Sequence, residues 1–200
     1  IIRHPMEGSA RVAADACSKP VINGGDGANQ HPTQTLIDLL AIQTCQGRLN
    51  DLHIAIAGDL KFARTAHSLI GALTYYQPRL YFVSTDDLSL PDALLAALKK
   101  QGIKFSFHTS LGDVIGKIDV LYMTRLQKER NDERTRAHPC RLTLQQLDIA
   151  KPHLRILHPL PRVDEIDTAI DQTHFAYYFE QAALAVPIRM ALLETILRAH

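Results

Sequence analysis

The segment LHIAIAGDLKFART, Leu52–Thr65, sets the pattern that predicts the fold of this chain. It opens with a short apolar run, Leu52–Ala57, which is typical of a buried strand. Gly58 ends the run, and a helix-like pattern follows near Ala63–Tyr75. A strand followed directly by a crossover helix is the repeating unit of a parallel sheet.

The alternation of short apolar runs with longer helical patterns continues along the chain. Further strands are predicted at Leu80–Ser84, Lys104–His108, Val120–Thr124 and Arg155–His158. Further helices are predicted at Pro91–Lys100, Leu111–Lys117 and Thr143–Ile149. We therefore expect an α/β fold in which a parallel sheet carries crossover helices.

The residues before this unit predict one more strand and one more helix. Pro20–Asn23 has the composition of a strand, and it enters the glycine-rich loop Gly24–Gln30. Pro32 suits the first position of a helix, which is expected to run to about Gln46 before Gly47 ends it.

The last segment, Phe175–Ala199, is predicted to form one long packed helix. Apolar residues recur in it at helical spacing, at Phe179, Ala183, Val186, Met190, Leu193 and Leu197. Pro187 is expected to bend this helix, because proline cannot donate a backbone hydrogen bond.

Charge and cysteine content favour a small-molecule partner and a reducing compartment. The chain has 22 basic and 21 acidic residues among 200, so neither nucleic acid nor an anionic membrane is indicated as a partner. Cys17, Cys45 and Cys140 are scattered and odd in number, which favours reduced thiols and a cytoplasmic location. No apolar run reaches the roughly 20 residues of a membrane span. The chain starts at Ile1 without a methionine, so we expect a fragment.

Two arginines follow predicted strands at one edge of the sheet. Arg64 comes after the first strand and Arg125 after the strand that ends at Thr124. Because the carboxyl ends of parallel strands share one edge, the pair suits a dicarboxylate ligand, each guanidinium gripping one carboxylate. Ordinary surface arginines in local ion pairs remain the alternative. The turn at Leu160 and Pro161, after another strand, offers backbone carbonyls to the same edge.

The glycine-rich loop and the helix after it form a second candidate site. Backbone N–H groups at a helix start favour an anion. His31 stands at this start and could donate a hydrogen bond to a polarised carbonyl oxygen, with Gln34 one turn on facing the same way. A purely structural His-Pro helix start is the alternative for this pair.

Other features exclude some cofactors and indicate a possible lid. The ten histidines have no metal-ligand spacing, so no metal is expected. The glycine-rich loop matches neither the dinucleotide nor the Walker pattern, so no nucleotide cofactor is expected. Arg125–His138 contains both positively and negatively charged residues. This composition is typical of a solvated loop, and such a loop could also close over the site as a lid.

Four ordered motifs together resemble the catalytic chains of the aspartate carbamoyltransferases. They are Gly25–Gly27 with HPTQTLID (His31–Asp38), GDLK with RT and HS (Gly58–Ser68), YMTR with QKER (Tyr122–Arg130), and HPLPR (His158–Arg162). The resemblance covers nearly the whole chain.

The resemblance implies roles for particular residues. Carbamoyl phosphate would be held by Arg3, His31 and Gln34, with His31 polarising its carbonyl oxygen, and the backbone at Leu160 and Pro161 would help to position it. Aspartate would be held by Arg64, Arg125 and Gln127. The implied reaction is direct attack of the α-amino group of L-aspartate on the carbonyl carbon, without metal or cofactor.

The resemblance also implies how the chain is organised. Residues 1–47 would be a remnant of the carbamoyl phosphate domain with a linking helix, residues 48–174 the aspartate domain, and residues 175–200 a helix packing back towards the first domain. The family's Ser-x-Arg-Thr-Arg loop is absent from the chain, as are the serine and lysine that a neighbouring subunit donates, so this chain alone is expected to be inactive. A homotrimer is implied, with regulatory chains as possible partners.

Two alternatives stay open. An ornithine carbamoyltransferase typically has cysteine where Pro159 stands, and it binds an amino acid with an extra cation, so the dicarboxylate fits better. A catalytically silent homologue or fragment that serves as a binding or assembly module is the other alternative.

Overall fold

The structure is a computed structural model that describes residues 1–125 and 140–199. The predicted ligand Gln127, and the predicted lid apart from Arg125, lie outside the described residues. None of the described helices is both long and apolar enough to cross a membrane.

A parallel sheet of five strands forms the centre of the molecule. Its strands are β3 (His53–Ala57), β4 (Arg79–Val83), β5 (Lys104–His108), β6 (Val120–Met123) and β7 (Arg155–Leu157). They lie in the order β5-β4-β3-β6-β7, each parallel to its neighbours. The predicted α/β fold with a parallel sheet is therefore confirmed, and for these five strands no predicted end is more than one residue from the observed end.

The strands are buried on both faces, as strands covered by crossover connections on both sides are. Ile54 and Ile56 point into a core that also contains Leu69 from the following helix. Ala55 and Ala57, which alternate with them, point into a second core on the opposite face of the sheet. This period of two explains why the run from Ile54 to Ala57 is apolar throughout.

The α-helices are α1 (Ser9–Asp15), α2 (Pro32–Gln46), α3 (Arg64–Leu73), α4 (Asp92–Lys100), α5 (Tyr178–Ala183) and α6 (Ala185–Arg198). The predicted bounds of α2 are confirmed at both ends. Pro32 begins this helix, and Gly47 ends it with a φ of 72°, a left-handed conformation that favours glycine.

Two predicted helices are shorter than expected and have 3-10 geometry. Leu111–Lys117 contains only the 3-10 helix Leu111–Asp113, because Gly112 and Gly116 disfavour a continuous helix. A Cβ at Gly116 would also lie 3.1 Å from the Ile149 carbonyl oxygen, so this turn packs closely against a neighbouring segment. The other prediction, Thr143–Ile149, corresponds to the 3-10 helix Leu144–Ile149.

The predicted strand Pro20–Asn23 is placed too early in the sequence. The strand observed here, β2 (Asn23–Asp26), pairs in parallel with β1 (Ile2–His4) in a small second sheet. Gly24 lets the two backbones approach closely, since a Cβ there would lie 3.2 Å from the Ile2 carbonyl oxygen. The long-range partner β1 therefore sets the position of the strand.

The prediction of one carboxyl-terminal helix is wrong, and so is the prediction that its apolar stripe is packed against the rest of the molecule. The segment forms α5 and α6, which meet at Leu184, because Pro187 has no N–H to continue the hydrogen bonding of α5 and instead fits the first turn of α6. In addition, no residue of α6 is fully buried. The predicted apolar stripe is exposed, with Met190 at 64% and Leu197 at 73%.

The order of the sheet reverses between β3 and β6, since the chain adds β4 and β5 on one side of β3 and then β6 and β7 on the other. At such a switch point the loops that leave the two strands diverge and open a crevice. Gly58, directly after β3, has a φ of 112°, and a Cβ there would lie 2.3 Å from the Thr124 carbonyl oxygen. A glycine is thus required where the ends of β3 and β6 approach.

We predict that Gly58→Ala lowers the free energy of unfolding by on the order of 3 kcal/mol, because it adds both left-handed strain and a steric overlap. Urea denaturation measures the change. Gly71→Ala is the matched control, because a Cβ at this helical position meets nothing within 4 Å. The control should be more stable than the original chain by roughly 0.5–1 kcal/mol. A Gly58→Ala protein as stable as the original would contradict the close approach.

Candidate active site

A cavity of about 310 Å³ opens at the carboxyl ends of β3, β6 and β7. Its lining residues are Arg3, His31, Gln34, Ala63, Arg64, Thr65, Thr124, Arg125, His158, Pro159, Leu160, Pro161 and Arg189. The structure thus brings together every site residue expected from the sequence except Gln127, which lies outside the described part of the chain. The two candidate sites predicted from the sequence, the arginines at the strand ends and His31 with Gln34, therefore form two walls of one cavity.

His31 is fixed at the start of α2, where its backbone N–H donates to the Ser68 hydroxyl at 2.8 Å. The residue is 9% exposed, and its Nδ1 lies 3.3 Å from the Thr33 hydroxyl. Burial and the nearby cations Arg64, Arg3 and Arg189 lower the pKa of His31 to about 4. The imidazole is therefore neutral near pH 7, and it can donate a hydrogen bond without carrying a charge.

Gln34 lines the cavity one turn after His31. Its Nε2 donates to Asp38 Oδ1 at 2.8 Å, a bond between two buried side chains. This bond sets the orientation of the amide, so Oε1 is its hydrogen-bond acceptor on the side away from Asp38.

Arg64 is the first residue of α3, and the glycine-rich loop holds its guanidinium. Nη1 donates to the Gly27 carbonyl oxygen at 3.1 Å. The guanidinium also lies against Gly25, where a Cβ would be only 2.8 Å from Arg64 Cζ. Gly25 has a φ of 120°, so both the backbone conformation and the close approach require glycine there.

Hydrogen bonds hold the turn between β3 and Arg64 in place. The Asp59 carboxylate, which is fully buried, accepts the backbone N–H groups of Lys61 and Phe62 at 3.1 and 2.9 Å. The two ring nitrogens of His67 lie 3.0 Å from the Ala28 carbonyl oxygen and 2.8 Å from the Leu60 carbonyl oxygen. His67 thereby joins the glycine-rich loop to the turn after β3.

Arg125 enters the cavity from the end of β6. The preceding residue, Thr124, continues the strand pairing with an N–H bond of 2.8 Å to the Ala57 carbonyl oxygen. Its hydroxyl donates to the same oxygen at 3.1 Å. These bonds fix the backbone from which the half-buried Arg125 side chain leaves the sheet.

The turn after β7 is organised by a buried pair, His158 and Glu165. Nδ1 of His158 accepts the Leu160 N–H at 2.8 Å, so its Nε2 carries the proton that bonds Glu165 at 2.7 Å. Burial alone would raise the pKa of Glu165, but hydrogen bonds from His158 and from backbone N–H groups lower it to about 2. Leu160 is held in a left-handed conformation with a φ of 53°.

Several cavity residues were not assigned by sequence reasoning. Thr65 and His158 stand inside motifs of the sequence, but neither motif indicates a role for them. Arg189 lies on α6, far along the chain from the other lining residues, and only the packing of that helix brings it to the cavity. No local pattern in the sequence distinguishes it from the neighbouring surface residues of α6.

A larger cavity of about 570 Å³ lies near the ends of β4 and β5. Among the described residues, its lining includes Asp86, Asp113 and His108, together with serine and threonine hydroxyls, and it includes no lysine or arginine. This lining does not suit an anionic ligand. The smaller cavity, with its four arginines, is the candidate site for anions.

Comparison with known proteins agrees with this geometry. A model of the Asp/Orn binding domain of aspartate/ornithine carbamoyltransferase matches residues 50–196, and a model of the carbamoyl-P binding domain matches residues 1–44.

The chain belongs to the aspartate/ornithine carbamoyltransferase family.

Named relatives within this family include both sequences and solved structures. The chain is 52% identical to an aspartate carbamoyltransferase catalytic subunit of Vibrio vulnificus, over 98% of this chain and 65% of the relative. It superposes on the catalytic subunit of M. jannaschii aspartate transcarbamoylase with a TM-score of 0.85 and 41% identity, over 99% of this chain and 66% of the other. The chain therefore spans just under two thirds of the length of these relatives.

A third family member has been solved with ligands. Aspartate transcarbamoylase from Trypanosoma cruzi is known in complex with N-(phosphonacetyl)-L-aspartic acid, and in complex with carbamoyl phosphate and aspartate. Both structures match with a TM-score of 0.89 and 34% identity, over 96% of this chain and 64% of theirs.

We predict that His31 titrates with a pKa of about 4 and that Arg189→Met raises this pKa, because one of the repelling cations is removed. NMR titration of the His31 ring measures both values. Arg198→Met is the matched control on the same helix, since Arg198 pairs with Glu194 at the helix surface and should leave the titration unchanged. A His31 pKa near the ordinary value of about 6.5 in the original chain would contradict the prediction.

Proposed function

We propose that this chain contributes most of the active site of an enzyme that transfers the carbamoyl group of carbamoyl phosphate to the α-amino group of L-aspartate. The products would be N-carbamoyl-L-aspartate and phosphate, in pyrimidine biosynthesis. One observation carries the proposal: Arg64 and Arg125 leave adjacent strands into the cavity that His31 and Gln34 also line. This arrangement offers two carboxylate-binding groups beside a group that can polarise a carbonyl.

Carbamoyl phosphate is assigned to the side of the cavity formed by Arg3, His31 and Gln34. Arg3 provides positive charge for the phosphate. Neutral His31 donates a hydrogen bond to the carbonyl oxygen, where negative charge develops during attack. Gln34 Oε1 and the carbonyl groups at Leu160 and Pro161 are acceptors for the carbamoyl NH₂ group.

L-Aspartate is assigned to Arg64 and Arg125. A planar guanidinium can bind a carboxylate through two parallel hydrogen bonds, and a dicarboxylate offers one carboxylate to each arginine. Gln127 remains a predicted third ligand. The cationic side chain of ornithine would be repelled by these arginines and by Arg189, so aspartate is the favoured amino acid acceptor.

The chemistry needs no group beyond these side chains and the substrates. The neutral α-amino nitrogen attacks the carbonyl carbon, a C–N bond forms, and the carbonyl oxygen becomes an oxyanion held by the His31 N–H. When this tetrahedral intermediate collapses, the C–O bond to phosphate breaks, and the departing phosphate takes the proton from the former amine nitrogen. The reaction is accelerated because the side chains position the two substrates and because the hydrogen-bond donor for the oxyanion is already in place.

The wider organisation belongs to the same proposal. We propose the division into residues 1–47, 48–174 and 175–200 already described. We also propose a homotrimer with shared sites, possible regulatory chains and a cytoplasmic location.

A catalytically silent binding module is the competing proposal. Two measurements on the whole protein separate these proposals. Calorimetry measures the binding of N-(phosphonacetyl)-L-aspartic acid, and an assay measures the formation of carbamoyl aspartate. Only the enzyme forms this product.

We predict that Arg125→Ala in the whole protein raises the KM for aspartate by roughly 30- to 1000-fold, since truncating one partner of a buried charged pair costs about 2–4 kcal/mol. The KM for carbamoyl phosphate and the melting temperature should stay close to the original values. Steady-state kinetics with each substrate varied in turn measures the two constants.

Arg79→Ala is the control for this substitution. Arg79 stands at the opposite end of the sheet, where it lies over the Tyr81 ring, and it lines a different cavity. Its removal should leave both KM values unchanged. An unchanged aspartate KM in Arg125→Ala would refute the role assigned to Arg125.

We predict that Gly25→Ala also weakens aspartate binding, by tenfold or more (roughly 1.4 kcal/mol). The added methyl group overlaps the Arg64 guanidinium and must displace it. Gly102→Ala is the matched control, because Gly102 also has a positive φ, 67°, but a Cβ there meets nothing within 4 Å. Both variants should lose stability, whereas only Gly25→Ala should change the aspartate KM. Equal KM values in the two variants would contradict the proposed contact.

A further inference from the structure

A fully buried carboxylate, Asp38, stands directly behind the cavity wall. It lies on α2 one turn after Gln34 and is 0% exposed. It does not line the cavity, and the reaction proposed above gives it no role. A buried carboxylate is costly unless its hydrogen bonds are satisfied, so its partners indicate what it does.

Asp38 accepts three side-chain hydrogen bonds, each from a different element. Gln34 Nε2 on α2 donates to Oδ1 at 2.8 Å, and Gln181 Nε2 on α5 donates to the same oxygen at 2.6 Å. The Tyr122 hydroxyl on β6 donates to Oδ2 at 2.9 Å. All three donors are themselves buried.

Each donor leads to a different wall of the cavity. Gln34 lines the cavity directly. Tyr122 is hydrogen-bonded by Thr65, which lines the wall formed by α3. Gln181 Oε1 accepts the His158 backbone N–H at 2.8 Å, so it holds the start of the Pro159–Pro161 turn.

The charge state of Asp38 decides which way the two amides face. Burial raises its pKa to about 6, and the hydrogen bonds from Gln34, Gln181 and Tyr122 oppose that rise. Near pH 7 the carboxylate is therefore ionised and can only accept hydrogen bonds. Burial also raises the pKa of Tyr122, which stays a protonated donor.

An acceptor without a proton imposes one orientation on each glutamine. Both amides must turn their NH₂ groups towards Asp38, so both must turn their oxygens away from it. Gln181 then accepts from His158, as observed, and Gln34 presents Oε1 to the carbamoyl NH₂. A neutral asparagine at position 38 could donate as well as accept, and it would allow either amide to turn around.

We propose that Asp38 is a positioning residue for carbamoyl transfer: it fixes Gln34 with its oxygen towards the carbamoyl NH₂ group and ties that side chain to the turn after β7. This inference rests on the proposed function. It adds a buried residue that touches no substrate yet determines how the carbamoyl group is held.

The test is Asp38→Asn in the whole protein, which keeps the shape of the side chain and removes its charge. We expect the KM for carbamoyl phosphate to rise by about tenfold or more, which corresponds to a lost hydrogen bond of roughly 1.4 kcal/mol. The KM for aspartate should change by less than about twofold, within the scatter expected of independent sites.

Asp119→Asn is the matched control. Asp119 is a second buried aspartate, 4% exposed and hydrogen-bonded by Lys151 and His153, but it lies at the amino end of β6, away from the cavity. Its substitution should lower the melting temperature and leave both KM values unchanged. The inference is wrong if Asp38→Asn behaves like this control, with a lower melting temperature and two unchanged KM values. Asp38 would then have only a structural role.

A double-mutant cycle separates positioning from general damage. In a Gln34→Met background, Asp38→Asn should cause little further rise in the KM for carbamoyl phosphate, because the side chain that it orients is already gone. Independent, multiplying effects of the two substitutions would overturn the inference.

A measurement on the unmodified protein covers the case in which Asp38→Asn does not fold. The side-chain NH₂ resonances of Gln34 and Gln181 should shift together, with one inflection near pH 6, when Asp38 takes a proton. Tyr122 does not titrate in that range, and His31 titrates near pH 4, so neither produces this inflection. Separate inflections for the two amides, or a shared inflection above pH 7, would contradict the inference, because Asp38 would then not act as an ionised acceptor for both.

The failure of the inference differs from the failure of the proposed function. If the unmodified whole protein forms no carbamoyl aspartate, the proposed function fails. If the unmodified protein is active and Asp38→Asn has the same KM for carbamoyl phosphate, only the positioning role fails.

Discussion

The parallel pairing of β3 with β6 is the constraint on which the rest of the site depends. Ala57 pairs with Met123, and the next residues, Gly58 and Thr124, approach so closely that no side chain fits at position 58. This contact places the loops that carry Arg64 and Arg125 side by side. The pairing thereby brings two arginines that are more than fifty residues apart in the sequence into one cavity.

The positive charge that this pairing gathers also determines the state of His31. Burial and three arginines lower its pKa, so it stays an uncharged hydrogen-bond donor in a site for anions. A charged imidazole would add further repulsion among the cations, whereas a neutral one can still polarise a carbonyl group. The residues that attract the ligands thus also tune the group assigned to the chemistry.

The glycine-rich loop and the Asp38 network join the two parts of the cavity. Gly25 and Gly27 hold the Arg64 guanidinium, so a loop before α2 positions a side chain assigned to aspartate. Asp38, on α2, reaches β6 and α5 through Tyr122 and Gln181. Contacts of both kinds cross between the segment that matches the carbamoyl-P binding domain and the segment that matches the Asp/Orn binding domain.

The sequence by itself determined the five strands of the main sheet and the bounds of α2, because a run such as Ile54–Ala57 and the signals of Pro32 and Gly47 act over a few residues. It also indicated the two arginines and His31, since they follow strand ends or begin a helix. Only the tertiary structure decided the position of β2, the exposed face of α6, the entry of Arg189 into the cavity and the role proposed for Asp38. Each of these depends on contacts between residues far apart in the chain, and no local pattern encodes such contacts.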